Sequence, residues 1–119
     1  MNKICTSLEQ SKKLIELGID INTADIIYTT FYGKVSKNLP MPKEVYDILK
    51  YPYPGDKCVP AWSLSALLII LPQGTRLLKS ATSEMYHCDC PKGNIDKWFD
   101  NPIDAAFEMV VWLKENNKL

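Results

Sequence analysis

Apolar positions recur at helical spacing in two parts of the chain, near its start and at its end. In the first part the apolar side ends at Gly18, which predicts a helix over residues 7–17. Thr6 and Glu9 have the spacing of a capping box, in which two side chains bond free amides of the first turn. In the second part Asn101 is an N-cap residue that opens the last predicted helix. The apolar stripe of that helix consists of Ile103, Ala106, Phe107, Val110 and Val111, with Trp112 and Leu113 extending it.

The middle of the chain contains shorter apolar runs. Residues 25–32 are β-branched and aromatic, which predicts a strand. Residues 63–71 run from a serine N-cap to the residue before a proline and are apolar almost all round. This pattern predicts a short helix that is covered on more than one side, by the sheet and another helix or by a partner chain. Three further runs, separated by turn residues, predict a three-stranded antiparallel meander. These runs are 76–81, 85–90 and 95–99.

Prolines concentrate between residues 40 and 60, where five of the eight lie. They exclude a long helix there and leave room for a short helix over residues 42–50. Tyr51, Tyr53 and Trp62 stand on or next to this proline-rich stretch and are the candidate binding residues. Large aromatic side chains on a proline-braced loop suit a protein-binding surface, because they bury much area at low entropic cost. The alternative is that they fold back over the core as a lid.

The elements follow the order α-β-(α)-α-β-β-β-α. This order predicts an α+β fold in which about three helices pack on one face of a small, mostly antiparallel sheet. The chain has 119 residues, of which 46% are hydrophobic. A domain of this size buries enough apolar surface to fold without metal or disulfide. We therefore expect one domain over residues 1–119, with the aromatic residues from Trp98 to Trp112 in its core.

The 14 basic and 14 acidic side chains give a formal net charge of zero. Non-specific affinity for nucleic acid depends on a basic surplus, which this chain lacks, so no nucleic-acid partner is expected. The longest apolar run, residues 66–71, is far below the ~20 residues that span a bilayer, and no membrane partner is expected. The first residues lack the apolar core of a signal peptide, which favours a cytoplasmic protein with reduced cysteines.

The sequence cluster richest in metal-ligand side chains consists of His87, Cys88, Asp89 and Cys90. With Cys58 as a third thiolate, Cys88 and Cys90 form an alternative zinc site. In a strand, however, Cys88 and Cys90 point to one face and His87 to the other, so the histidine cannot join the thiolates. The cysteine spacing also lacks the two-residue spacer of a zinc knuckle. We therefore expect core cysteines and no cofactor.

Catalytic chemistry has few candidates in this sequence. His87 is the sole histidine, and no serine or cysteine stands in a nucleophile elbow. The five glycines are isolated, so a phosphate-binding loop is absent. Asp100, Asp104 and Glu108 share a helical face that could hold a hard cation, but their place near a helix N-terminus explains them. We expect a protein without enzymatic activity, and an enzyme with a site around His87 is the alternative.

Three segments carry a resemblance: Ile4–Asp20, Pro60–Leu68 and Asn101–Ala106. They resemble segments of a family of small proteins from gut anaerobic bacteria, often encoded near integrated phage or other mobile elements. The resemblance covers the first helix, the middle helix with its lead-in, and the start of the last helix. The family has no established activity, so the resemblance implies a bacterial or mobile-element context and no catalytic residue. It favours an accessory protein that acts through contact with another protein or with itself.

Overall fold

The structure, a computed structural model, describes residues 3–29, 39–42 and 59–119. Within these residues it contains three α-helices, six short strands and one 3₁₀ turn at Ile21–Thr23. The predicted α+β class is confirmed. The helices are α1 (Leu8–Glu16), α2 (Leu64–Ile70) and α3 (Pro102–Glu115); the strands are β1 (Ile26–Thr29), β2 (Leu39–Pro42), β3 (Val59–Ala61), β4 (Arg76–Lys79), β5 (Tyr86–Cys90) and β6 (Gly93–Asn94).

The strands form two antiparallel sheets, whereas the sequence predicted one. The first sheet has the order β2-β1-β3, and the second has the order β4-β5-β6. Both neighbours of β1 lie in or directly beside the proline-rich stretch, where no strand was predicted. Among the described strands they lie at the edges of their sheet, and an edge strand tolerates proline because an outward-facing position needs no amide donor. The central Tyr28 lies between Pro40 and Val59.

The first helix begins one residue later than its predicted capping box. Ser7 is the N-cap, its side chain accepts a bond from the amide of Gln10, and the Gln10 side chain bonds the Ser7 amide in return. The prediction that Thr6 and Glu9 form the box is therefore wrong. Both pairs have a suitable spacing, but the Thr6 side chain is fully buried and bonded to other groups.

The predicted meander is confirmed in its first two strands and wrong in its third. Pro91 and Lys92 form a two-residue turn, because Cys90 and Gly93 are paired across it. Strand β6 therefore begins at once, inside the segment that was expected to be a turn. Residues 95–99 do not form a strand; Phe99 makes a single bridge to Tyr86, with both backbone bonds present.

The middle helix is confirmed, with Ser63 as its N-cap. The described residues cover only part of its surface, so cover by the sheet and another helix is incomplete, and cover by a partner chain stays a prediction. Ala66 and Leu67 are buried, but Ile69 is 79% exposed. The short helix expected over residues 42–50 lies outside the described residues except for Pro42, which ends β2.

Helix α3 lies at the centre of the core. Asn101 is its N-cap and a proline follows, as the sequence predicted. One side of α3 packs against the inner face of the second sheet, and another contacts α2. The predicted apolar stripe is buried. The buried residues of α3 are Ile103, Ala105, Ala106, Phe107, Met109, Val110, Val111 and Leu113.

A charged contact joins the start of α3 to the N-terminal segment. The Asp104 carboxylate accepts hydrogen bonds from Lys3 Nζ at 2.9 Å, Gln10 Nε2 at 2.7 Å and Asn101 Nδ2 at 2.6 Å. Burial opposes ionisation of Asp104, but these bonds and the charge of Lys3 outweigh it and lower the pKa of the carboxyl group. The carboxylate is thus bonded to protein donors. A cation bound to this helix face, as considered from the sequence, is not needed to explain the position of Asp104.

A close contact joins the second sheet to α3. The Trp112 ring lies against the backbone of Gly93, and a Cβ placed on Gly93 would stand 2.1 Å from the ring. Lys118 Nζ lies 5.2 Å from the centre of the same ring. A side chain larger than hydrogen at position 93 is therefore incompatible with the packed tryptophan.

We expect Asp104→Asn to lower the free energy of unfolding by about 2 kcal/mol at neutral pH, because three donors lose a charged acceptor. Since the pKa of Asp104 is lower in the folded state, its stabilising effect is present above the ordinary aspartate pKa, near 4, and is lost as the pH falls through the folded-state pKa. Urea unfolding followed by circular dichroism should therefore show a difference that shrinks in acid. Asp100→Asn, at an exposed carboxylate, is the control; an equal loss there would contradict the assignment.

We expect Gly93→Ala to destabilise the protein by about 2 kcal/mol through overpacking against Trp112. The penalty should fall to a few tenths of a kcal/mol in a Trp112→Leu background, because the obstructing ring is gone. Thermal unfolding of the two single variants and the double variant measures this coupling. Equal penalties in both backgrounds would show that the ring contact is not the cause.

Candidate functional site

The three candidate binding residues from the sequence do not form a described surface. Trp62 is fully buried, and its indole Nε1 donates a hydrogen bond to Thr23 Oγ1 at 2.9 Å. Its ring therefore belongs to the core, in keeping with the packed alternative, and contributes no exposed area in this chain. Tyr51 and Tyr53 lie outside the described residues, and their binding role stays a prediction.

Trp62 also joins a chain of hydrogen bonds that runs through the buried hydroxyl groups of the N-terminal segment. Its backbone N–H donates to Thr6 Oγ1 at 3.0 Å, and the Thr6 N–H donates to the Trp62 carbonyl at 2.9 Å. Thr6 Oγ1 lies 2.8 Å from Ser11 Oγ, which donates to the Ser7 carbonyl. Each hydroxyl therefore both accepts and donates, so this cluster has a structural role with no spare group for catalysis.

Tyr28 and Cys5 extend the same region. Tyr28 Oη donates to the Thr6 carbonyl at 2.8 Å, and Cys5 Sγ lies 3.3 Å from Tyr28 Oη. Burial, followed by the contact with Cys5, raises the pKa of the Tyr28 hydroxyl. Burial also raises the pKa of the Cys5 thiol. Both groups are therefore protonated at neutral pH and act as hydrogen-bonding partners, not as nucleophiles.

The thiols of Cys88 and Cys90 lie on the inner face of the second sheet, as strand alternation predicted. Both are buried and belong to the core. Burial, with smaller contributions from Cys90 and Asp89, raises the pKa of Cys88 to about 11. Zinc requires thiolates, and a buried neutral thiol is a poor ligand unless the metal itself displaces the proton. Over residues 3–29, 39–42 and 59–119, no three metal-ligating side chains come together; the third candidate, Cys58, lies outside them.

His87 lies on the outer face of β5, opposite to the two thiols. Its Nδ1 is 3.0 Å from the Lys97 carbonyl oxygen, and its ring centre is 5.2 Å from that of Trp98 with an interplanar angle of 33°. The described hydrogen bonds of His87 include none to a carboxylate or a thiol. The nearby Asp89 instead accepts a bond from Arg76 at 2.6 Å. An acid–base pair that would suit catalysis is therefore not formed at this histidine in the described part of the chain.

Three side chains form a surface that the sequence reasoning missed. Leu78 of β4 is the direct cross-strand partner of His87, so the two share the outer face, and Trp98 lies beside the histidine ring. Leu78 is 38% exposed and Trp98 is 41% exposed. We call Leu78, His87 and Trp98 the outer patch. The expectation that Trp98 belongs to the core is wrong, because residues 95–99 do not alternate as a strand against α3.

The outer patch is bordered by charge and can offer an apolar and aromatic contact. The Arg76–Asp89 ion pair lies next to it on the same face of the sheet. Strand alternation placed His87 on this face. The same alternation would have predicted Leu78 beside it if the β4–β5 register had been known. A separate surface depression of about 600 Å³ is lined by residues from the Pro91–Lys92 turn and the chain end, and it contains none of the candidate residues.

We expect Cys88 and Cys90 to react with dithionitrobenzoate about 100-fold more slowly in the folded protein than in urea, at about pH 8. Burial and the raised pKa both reduce the reactive thiolate. The measurement uses a Cys5→Ser/Cys58→Ser variant, so that only these two thiols contribute. Elemental analysis of the unmodified protein tests the zinc alternative: stoichiometric zinc that disappears in Cys88→Ser would contradict a purely structural role.

No helix within the described residues has the length and apolar character needed to cross a membrane. A scan against protein-family models finds no match to the chain. Searches of curated proteins and of solved structures find no match either.

Proposed function

We propose that this protein acts by binding another protein through the outer patch and has no catalytic activity of its own. The observation that carries the proposal is the exposure of Trp98 and Leu78 around His87 on the sheet face opposite to α3. Tryptophan is enriched among the residues that dominate protein-binding energy, because one ring buries a large area while losing little side-chain freedom.

The strands that carry the outer patch are also suited to binding. Leu78 and His87 stand on paired strands whose other face packs against α3, so their backbone positions are held by the core. A rigid platform reduces the entropy lost on association. The neighbouring Arg76–Asp89 pair supplies a polar rim of the kind that surrounds the apolar centre of an interface.

The absence of catalysis is part of the proposal and has its own support. The described thiols are buried, and the pKa values of Cys5 and Cys88 are raised. His87 directs one ring nitrogen to a backbone carbonyl and its ring to Trp98. These residues are therefore used for packing and for surface shape. An enzyme around His87 would need an acid, base or nucleophile beside it.

The biological setting that we propose is the cytoplasm of a bacterium, where the protein serves as an accessory to a cellular or mobile-element system. The resemblance of three segments of the chain to a mobile-element family supports this setting. Tyr51 and Tyr53 remain candidates for a second contact with the same partner.

We expect Trp98→Ser and Leu78→Ser each to reduce capture of the partner by about tenfold or more, as the loss of a dominant interface side chain does. The tagged protein is used to capture partners from a lysate of its source organism, and captured proteins are quantified by mass spectrometry. Ile69→Ser is the matched control, because Ile69 is an even more exposed apolar side chain on α2.

Circular dichroism establishes that each variant is folded before capture is compared. A protein that is lost with both patch variants and retained with the control supports the proposal. Equal capture by all variants, or loss with Ile69→Ser alone, would contradict a binding role for the outer patch.

A further inference from the structure

The edge of the second sheet that carries Leu78 is formed by β4. Strand β5 pairs with one side of β4, and no other described strand pairs with the opposite side. Ser80 directly follows β4, and its amide donates to the Met85 carbonyl at 2.8 Å. These two residues therefore form a hydrogen-bonded pair of the β4–β5 ladder. In an antiparallel ladder such pairs alternate with residues whose backbone groups point away from the partner strand.

The alternation fixes the direction of the backbone groups of β4. Lys79 precedes Ser80, so its N–H and C=O point away from β5, and those of Leu77 do the same. Tyr86, the cross-strand partner of Lys79, confirms this phase, because its backbone groups point away from β4 and bond Phe99 at 2.6 and 2.8 Å. The outward backbone of β4 is therefore oriented to accept a further strand.

The charges along β4 determine which kind of strand could pair with its open edge. Its sequence is Arg-Leu-Leu-Lys, with a cation at each end and no acidic residue. The side chains of Arg76 and Lys79 are 67% and 57% exposed, and each touches one carboxylate at the protein surface, Asp89 and Glu84 respectively. Such exposed pairs contribute little, and the guanidinium keeps further donors for a new partner.

A second copy of β4 is a poor match for this edge. Residues directly opposite each other in an antiparallel ladder direct their backbone groups either both toward the partner strand or both away from it. A second copy would therefore place Leu77 opposite Lys79 and Leu78 opposite Leu78, with Arg76 opposite Ser80. This register brings no carboxylate to either cation. An acidic strand would instead place a carboxylate near each cation and apolar side chains beside Leu77 and Leu78.

We propose that β4 receives an extended acidic segment of the partner protein as an additional strand of the second sheet. This inference rests on the proposed function, since the added strand would lie next to Leu78 of the outer patch. Backbone hydrogen bonds to Leu77 and Lys79 supply affinity, and the two cations select carboxylates three positions apart.

The test uses a blocked hexapeptide with the central sequence glutamate-valine-valine-glutamate, titrated into the isotope-labelled protein and followed by amide chemical shifts. We expect saturable shifts at the Leu77 and Lys79 amides and weaker binding in high salt. The control peptide has lysine in place of both glutamates and should not bind. Absence of saturable binding would overturn the inference and indicate that the cations protect the edge from pairing. Equal binding of the two peptides would overturn it as well, because the cations would then not select carboxylates.

Two variants at one position separate strand pairing from charge. Lys79→Ser removes the cation and should weaken binding severalfold, whereas Lys79→Pro also removes the outward N–H and should weaken it by about a further tenfold. The β4–β5 bonds do not use this amide, and thermal unfolding checks that both variants stay folded. Equal affinities of the two variants would contradict an added strand.

The same variants distinguish failure of this inference from failure of the proposed function. If Lys79→Pro captures the cellular partner as well as Lys79→Ser does while Trp98→Ser loses it, the outer patch binds a partner without strand addition. If Lys79→Pro and Trp98→Ser both retain every captured protein, the proposed function fails as well.

Discussion

The packing of α3 is the constraint on which the rest of the structure depends. Eight of its residues are buried, and it contacts α2 and the inner face of the second sheet. Its first turn holds the N-terminal segment through Asp104, and its last turns hold Gly93 against Trp112. Hydrophobic burial of this helix supplies the main driving force, and these two contacts at its ends set where α1 and β6 lie against it.

The burial of one sheet face against α3 determines what the other face can do. Strand β5 alternates, so placing Cys88 and Cys90 in the core places His87 on the outside. The same alternation in β4 directs Leu78 outward beside it. Thiol chemistry is thereby suppressed by burial, while an apolar and aromatic surface is left exposed on a supported strand pair. The proposed binding role and the inner core are thus two consequences of one strand register.

The first sheet is held in place differently, by buried hydrogen bonds between the N-terminal segment and the residue that follows β3. Thr6 and Trp62 exchange hydrogen bonds, and the Thr6 hydroxyl continues through Ser11 to a backbone carbonyl. A buried hydroxyl left without a partner would lower the free energy of unfolding by about 1–3 kcal/mol. This series of hydrogen bonds therefore fixes the position of β3 relative to α1. This requirement also explains why Ser7, and not Thr6, serves as the helix cap.

The sequence by itself determined the α+β class, the three helices, the strand β5 with inward thiols and outward His87, and the caps at Ser63 and Asn101. These features depend on local periodicity and on capping side chains, which act within a few residues of the chain. Only the tertiary structure decided that the strands form two sheets, that Trp62 is buried, and that Trp98 is exposed beside Leu78. Those outcomes depend on contacts between residues far apart in sequence, such as the 56 positions between Thr6 and Trp62. No local pattern encodes which distant hydroxyl or strand edge a group will meet.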